Sequence, residues 1–212
     1  MRRWLVVVGL VVATSASACS GSSGSAALPT GATATDTSLP QSGASTAPAS
    51  PSMSATVTAA DPFSEQLPTD PRSPVTWLVK PTGNASKDAA LAAYRRWTYT
   101  VMRVFSDPTK DQQALLDLAT GTARTNYTKS LQDAVRRHVY QRGPVVVESA
   151  LATTQTGGAA VVACINLTQS YVYTGGARDS RPAGYYKETA VLQKHGNGFT
   201  VARLIGSRGS HC

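Results

Sequence analysis

The chain has 212 residues, a formal net charge of +8 and three cysteines. The cysteines form no Cys-x-x-Cys pair and no ligand set at metal-binding spacing, which excludes the standard dithiol and zinc motifs. A Gly-x-Ser-x-Gly elbow, a phosphate loop and a dinucleotide fingerprint are also missing, so no sequence motif specifies a catalytic class or a cofactor.

The first element is a leader. Arg2 and Arg3 precede an apolar run from Trp4 to Ala13, followed by Ala16-Ser17-Ala18-Cys19. A helix of that length spans about 15 Å, roughly half of a bilayer's hydrocarbon core. It reads as a cleaved signal rather than a transmembrane helix. A positive start, a short apolar segment, small residues and then a thiol is the order of a bacterial lipoprotein signal. The thiol is the side chain there that can take a diacylglycerol as a thioether. Ala16 stands where such signals favour leucine, and Arg2-Arg3 faintly resembles a twin-arginine export signal. An ordinary secretory signal with a chance cysteine is the alternative. The expectation is removal of residues 1–18, lipidation of Cys19, and a protein anchored on the extracytoplasmic face of the cell membrane.

Residues 19–74 follow as a tether. From 20 to 60 they are almost wholly Ser, Thr, Ala, Gly and Pro, without an aromatic residue. Such a segment cannot bury enough apolar area to offset its ordering entropy. As a coil it would span roughly 40 Å, stiffened towards its end by Pro62, Pro68, Pro71 and Pro74. Charge separates along the same boundary. The tether carries Arg72 against Asp36, Asp61, Glu65 and Asp70, a net of −3, whereas residues 75–212 carry 17 Lys/Arg against 8 Asp/Glu, a net of +9. A basic exported domain fits anionic lipid or acidic envelope polymers, and export removes nucleic acid as a partner. A basic surface with no dedicated partner is the alternative.

With Cys19 lipidated, Cys164 and Cys212 remain as an even pair. Outside the cytosol such a pair is expected to be a structural disulfide. It would close a loop of about 49 residues and contribute roughly 4 kcal/mol through chain entropy. A metal site or redox pair is the alternative.

The folded domain is expected over 75–212. Val75 to Val79 reads as a short lead-in strand. Asn84 or Ser86 caps a helix whose Leu91, Tyr94, Thr98, Met102 and Phe105 recur at helical spacing, with Ala90, Ala93, Trp97, Val101 and Val104 beside them. Asp107-Pro108 ends it. A second helical stretch runs from about Asp111 to Thr120, breaks at Gly121 and resumes to about Arg137, with Leu115, Leu116, Leu118, Ala119, Leu131 and Val135 as core. After Gly143-Pro144 the period becomes two. Strands are read at 145–154, 159–174, 184–194 and 198–206, joined by hairpin-like Gly turns. Ala159, Val161, Ala163, Ile165 and Leu167 form one apolar face, and Phe199, Val201 and Ile205 another. Helices first and an antiparallel meander after them make an α+β fold, with the helices packed on a curved antiparallel sheet of about four strands.

The pieces Leu118-Ala119-Thr120-Gly121-Thr122-Ala123, Gly143-Pro144-Val145-Val146-Val147, Gly158 to Cys164 and Gly198-Phe199-Thr200-Val201, with terminal Cys212, come in a familiar order. Over about residues 84–212 the chain resembles exported domains of actinobacterial lipoproteins in the nuclear transport factor 2-like superfamily. The resemblance implies a cone-shaped α+β domain of the cystatin-like kind, with a pocket between helix and sheet. It implies no single chemistry, because the fold hosts enzymes, carriers and assembly modules. Similar domains often have an acidic residue after the strand cysteine, whereas Ile165-Asn166-Leu167 follows here.

Enzymes of that fold transfer protons with an acid or histidine in the cone. His138, at a helix end, His195, in a turn, and His211 read as capping or solvated. Glu148 and Glu188 lie on strands and read as surface residues facing the many arginines, with a cavity-facing position as the alternative. Tyr171, Tyr173, Tyr185 and Tyr186 read as a cluster on two neighbouring strands, either cross-strand packing or a ligand face. Arg95-Arg96 and Arg136-Arg137 are solvated helix faces or a basic patch for phosphate or lipid headgroups. The leading expectation is a lipid-anchored, non-catalytic envelope module that needs no cofactor. It would bind a partner protein or a small or lipidic ligand. A proton-transfer enzyme of isomerase or dehydratase type, and a scaffold in an envelope transport or secretion assembly, are the alternatives. Mass spectrometry of the mature protein is expected to find Cys19 first and carrying diacylglycerol; intact residues 1–18 or a bare Cys19 would refute the anchor.

Overall fold

The computed structural model describes residues 61–209 and residue 211. The leader, Cys19, the tether up to residue 60 and Cys212 lie outside the described residues.

Helix α1 (Ala85–Ser106) is the central element. Asn84 is its N-cap, and its side chain accepts from the Lys87 amide at 3.1 Å. Asp88 ties down the preceding turn, accepting from the Thr82 amide and hydroxyl, both at 2.7 Å, and from the Gly83 amide at 3.1 Å. The Asn84 contact satisfies an amide that helix geometry leaves open, and the Asp88 contacts hold the turn that leads into the helix. The helix is buried on several sides, through Leu91, Tyr94, Trp97, Val101, Val104 and Phe105. It stops before Pro108, as the sequence predicts. The second helical stretch divides into α2 (Gln112–Asp117) and α3 (Gly121–Arg137). His138 closes α3 in the left-handed conformation at φ 50, the capping role expected of it.

The strands form two open sheets. The larger has the order β1 (Val75–Trp77), β3 (Val145–Gln155), β4 (Gly158–Leu167), β7 (Gly184–His195), β8 (Gly198–Gly209). Its pairs are antiparallel except β1 with β3, which is parallel. The smaller sheet joins β2 (Val139–Arg142), β5 (Tyr171–Thr174) and β6 (Ala177–Arg178). The α+β class holds, but the expected sheet of about four strands becomes five strands plus a second sheet of three. The expected strand 159–174 is broken because Asn166 turns the chain. Its side-chain oxygen accepts from the Thr168 amide at 3.0 Å and hydroxyl at 2.7 Å, which ends β4 and sends β5 into the other sheet.

The core lies between α1, α2, α3 and one face of the large sheet. Ala159, Val161 and Ala163 belong to it, while Ile165 and Leu167 belong to a second apolar cluster with Val75, Tyr99, Val145 and Tyr186; all five are buried, as their alternation predicts. Two other expected core residues are not. Val135 is 37% exposed and Ile205 is 46% exposed. Ile205 is displaced by a bulge in β8. Val191 pairs with Arg203 but Leu192 with Val201, so Ala202 is extra and the alternation reverses beyond it. Leu204 then packs against the core in place of Ile205. The α2–α3 connection docks at this bulge: Thr120 donates to the Val201 carbonyl at 2.8 Å, and Val201 donates to that of Leu118 at 2.9 Å.

The domain also starts earlier than position 75. Phe63 packs against Trp77 with ring centroids 6.0 Å apart, Leu67 packs on the second apolar cluster, and Ser73 is fully buried, donating to the Gln141 carbonyl at 2.9 Å. Residues 61–74, expected to belong to the tether, pack on the fold through Phe63, Leu67 and Ser73.

Candidate functional site

A cavity opens between α1, α3 and the core face of the large sheet, with Gln141 of β2 completing it. Its volume is about 80 Å³, enough for several water molecules. From α1 come Trp97, Thr98, Val101, Met102 and Phe105, which share one helical stripe. Helix α3 contributes Ala123, Asn126, Tyr127 and Ser130, and the sheet contributes Ile165, Leu167, Tyr186, Glu188, Leu204 and Arg208. Apolar groups dominate, with polar groups set singly among them. Tyr127 stands edge-on to Trp97 at 4.8 Å and to Phe105 at 6.1 Å, which fixes that part of the wall.

Glu188 is the chemically distinctive group. It is only 6% exposed, which overturns its reading as a surface residue facing the arginines. The reason is parity: Tyr186, Glu188, Ala190 and Leu192 are alternate residues of β7 and all turn towards the core. Its cross-strand neighbours are Ala163 and Gly206, which leave its side chain room. Tyr94, wholly buried on α1, donates its hydroxyl to Glu188 Oε1 at 2.8 Å. Burial pushes the Glu188 carboxyl up from 4.5 to about 7, although the Tyr94 hydrogen bond pulls the other way. Burial, and secondarily the Glu188 charge, hold the Tyr94 and Tyr127 hydroxyls well above their ordinary range. The Tyr186 hydroxyl rises for the same two reasons, opposed by Arg208.

Gly206 shapes this wall as much as any side chain. A Cβ at that position would lie 2.0 Å from the Tyr186 hydroxyl oxygen and 2.4 Å from its Cζ. The Tyr186 ring therefore lies over bare backbone, a position that only glycine permits without moving the ring.

The expected ligand face is not one surface. Tyr186 lines the cavity, whereas Tyr185 receives the Asn166 side-chain amide at 3.3 Å and neighbours the His211 ring at 5.5 Å. Tyr171 and Tyr173 sit in the small sheet, where Tyr173 stacks on Tyr140 at 5.0 Å and Arg178 covers Tyr171 at 4.6 Å. The reading of a cluster on two neighbouring strands fails because β5 leaves the large sheet. Arg95 donates to the Glu65 carbonyl at 3.0 Å, and Arg96 pairs with the Glu65 carboxylate at 2.7 Å. Arg136 and Arg137 both pair with Asp133. None of these four arginines lines the cavity, and such exposed pairs contribute little to stability. Glu148 is the extra residue of a bulge in β3, where it is exposed and accepts from the Asn166 amide at 2.7 Å. Cys164 is disulfide-bonded, and Cys212, the partner expected for it, lies outside the described residues.

Among the described residues no group of three or more His, Cys, Asp or Glu is placed to hold a metal ion, and no helix is long and apolar enough to cross a membrane. No protein-family model matches this chain, and no curated protein matches it.

The shifted acid makes stability depend on pH in a defined direction. The folded state keeps a proton on Glu188 that the unfolded chain releases near pH 4.5. Stability from this group therefore falls as pH rises from 4.5 to about 7 and is level above that. Asp70, Asp107 and Asp133 are shifted down by their hydrogen-bonded partners, so they act at lower pH: their contribution is present above the usual carboxylate range and lost in acid. Denaturant titrations should show the parent losing about 3 kcal/mol between the two ends of the Glu188 window. Glu188→Gln keeps an acceptor for Tyr94 and should flatten that slope; an unchanged slope would mean another group causes it.

Proposed function

We propose that this chain is a lipid-anchored cell-envelope protein whose domain, of the nuclear transport factor 2-like kind, binds a small or lipidic ligand in the cavity between α1, α3 and the sheet. The cavity itself carries this reading: its lining is mostly apolar with a few single polar groups, one of them a buried acid whose second oxygen receives no hydrogen bond among the described residues, and that is the lining of a small-molecule site. The leader and Cys19 support an extracytoplasmic location, where the tether gives the domain reach. Titrating the full chain with a neutral environment-sensitive dye should give saturable one-to-one binding. Ser130→Phe, which places a ring in the cavity, should weaken it at least about tenfold while leaving the fold intact by circular dichroism. Equal binding by parent and variant would place the dye elsewhere.

A second reading is proton transfer. Its support is that Glu188 sits at about 7, where an acid both gives and takes protons readily at neutral pH. The carboxylate would take a proton from a C–H beside a ligand carbonyl and return it to the ligand, with no net change in the protein. In D2O the parent should then speed deuterium entry into an apolar ketone, and Glu188→Gln should not. If the parent causes no exchange above the buffer rate, the domain binds and does no such chemistry.

A further inference from the structure

The binding reading leaves one question about Glu188. Glutamine there would accept the Tyr94 hydroxyl equally well and would carry no cost of ionisation in a buried site. What glutamate adds is negative charge. We infer that the cavity selects ligands whose apolar body ends in a cationic nitrogen, an ammonium that pairs with the Glu188 carboxylate. This rests on the cavity being a ligand site.

Three observations carry it. First, Glu188 takes part in none of the ion pairs among the described residues. Its Oε1 receives Tyr94, and no hydrogen bond among the described residues reaches Oε2. Second, the groups that face it are hydroxyls and small residues: Tyr94 from α1, Tyr127 from α3, Ala163 from β4, Tyr186 from its own strand and Gly206 from β8. Among the described residues the wall's one Lys or Arg is Arg208, which is exposed and so screened by water. Third, Trp97, Phe105, Tyr127 and Tyr186 line the same space, and aromatic rings attract cations in addition to burying apolar surface. An anionic ligand would meet a like charge in the wall, and a neutral one would leave the acid without a counter-charge.

The experiment is a titration of the full chain with benzylamine, benzyl alcohol and benzoate, followed by NMR. The three probes share a ring and differ in charge. At about pH 8 benzylamine should bind at least about tenfold more tightly than benzyl alcohol, with benzoate weakest. The amine's advantage should shrink by up to about tenfold per pH unit below neutrality, because Glu188 must lose its proton to pair. Glu188→Gln should abolish the advantage while still binding benzyl alcohol. The pH series on the parent alone gives the same test if that variant does not fold. Equal affinity for amine and alcohol would overturn the cation assignment and leave the ligand site standing. If none of the three binds, the reading of the cavity as a ligand site falls, and this inference with it.

Discussion

The hydrogen bond from Tyr94 to Glu188 sets the geometry of the whole domain. It joins the middle of the central helix to β7, an inner strand of the large sheet, with both partners buried. Breaking it would strand a polar group out of water, at a cost of about 1–3 kcal/mol. It also fixes the rotation of α1. Trp97, Thr98, Val101, Met102 and Phe105 fall three, four, seven, eight and eleven residues beyond Tyr94, so the bond that holds the helix also turns that stripe to the cavity. One contact thus links a tertiary constraint to the composition of a wall.

The sheet makes room for this contact by omission. Ala163 and Gly206 stand across from Glu188, and the bare backbone at Gly206 takes the ring of Tyr186. Where volume is missing from a well-packed core, the usual outcome is collapse. Here α1 is held off by a hydrogen bond of fixed length, and the rings of Trp97, Tyr127 and Phe105 brace each other edge to face. The two bulges serve opposite faces. In β3 the extra residue carries Glu148 outward, and in β8 the extra residue brings Leu204 inward where strict alternation would have brought Ile205.

Helix α1 was legible in the sequence because cap, periodicity and stop all agree: Asn84, the apolar stripe and Pro108. The face of β4 was legible because its alternation is unbroken. β2 was not, since four residues after a left-handed His138 give too short a pattern to separate from the end of α3. The break after Leu167 depends on the Asn166 side chain, and an asparagine inside a strand pattern carries that signal only faintly. Glu188 could have been placed by strict parity with Ala190 and Leu192, but a charged residue ordinarily argues for the surface. That one turn takes Tyr171 and Tyr173 into the small sheet, while strand parity puts Tyr185 and Tyr186 on opposite faces of β7. Position 202 carries no mark of a bulge at all: Ala202 is extra because the α2–α3 connection claims the backbone of Val201.

The lead-in strand has a mechanical consequence. Residues 72–78 run alongside 141–147, bonded from Gly143 to the Arg72 carbonyl, from Val145 to that of Pro74, and from Leu78 to that of Val147. Ser73 adds its side-chain bond to Gln141. Because β1 and β3 are parallel, tension applied through the N-terminal segment along the axis of β1 loads these bonds together in shear, and does not peel them one at a time. A domain held from that end would resist force through a short strand, and its rupture rate, rather than its equilibrium stability, would set how long it stays folded under load.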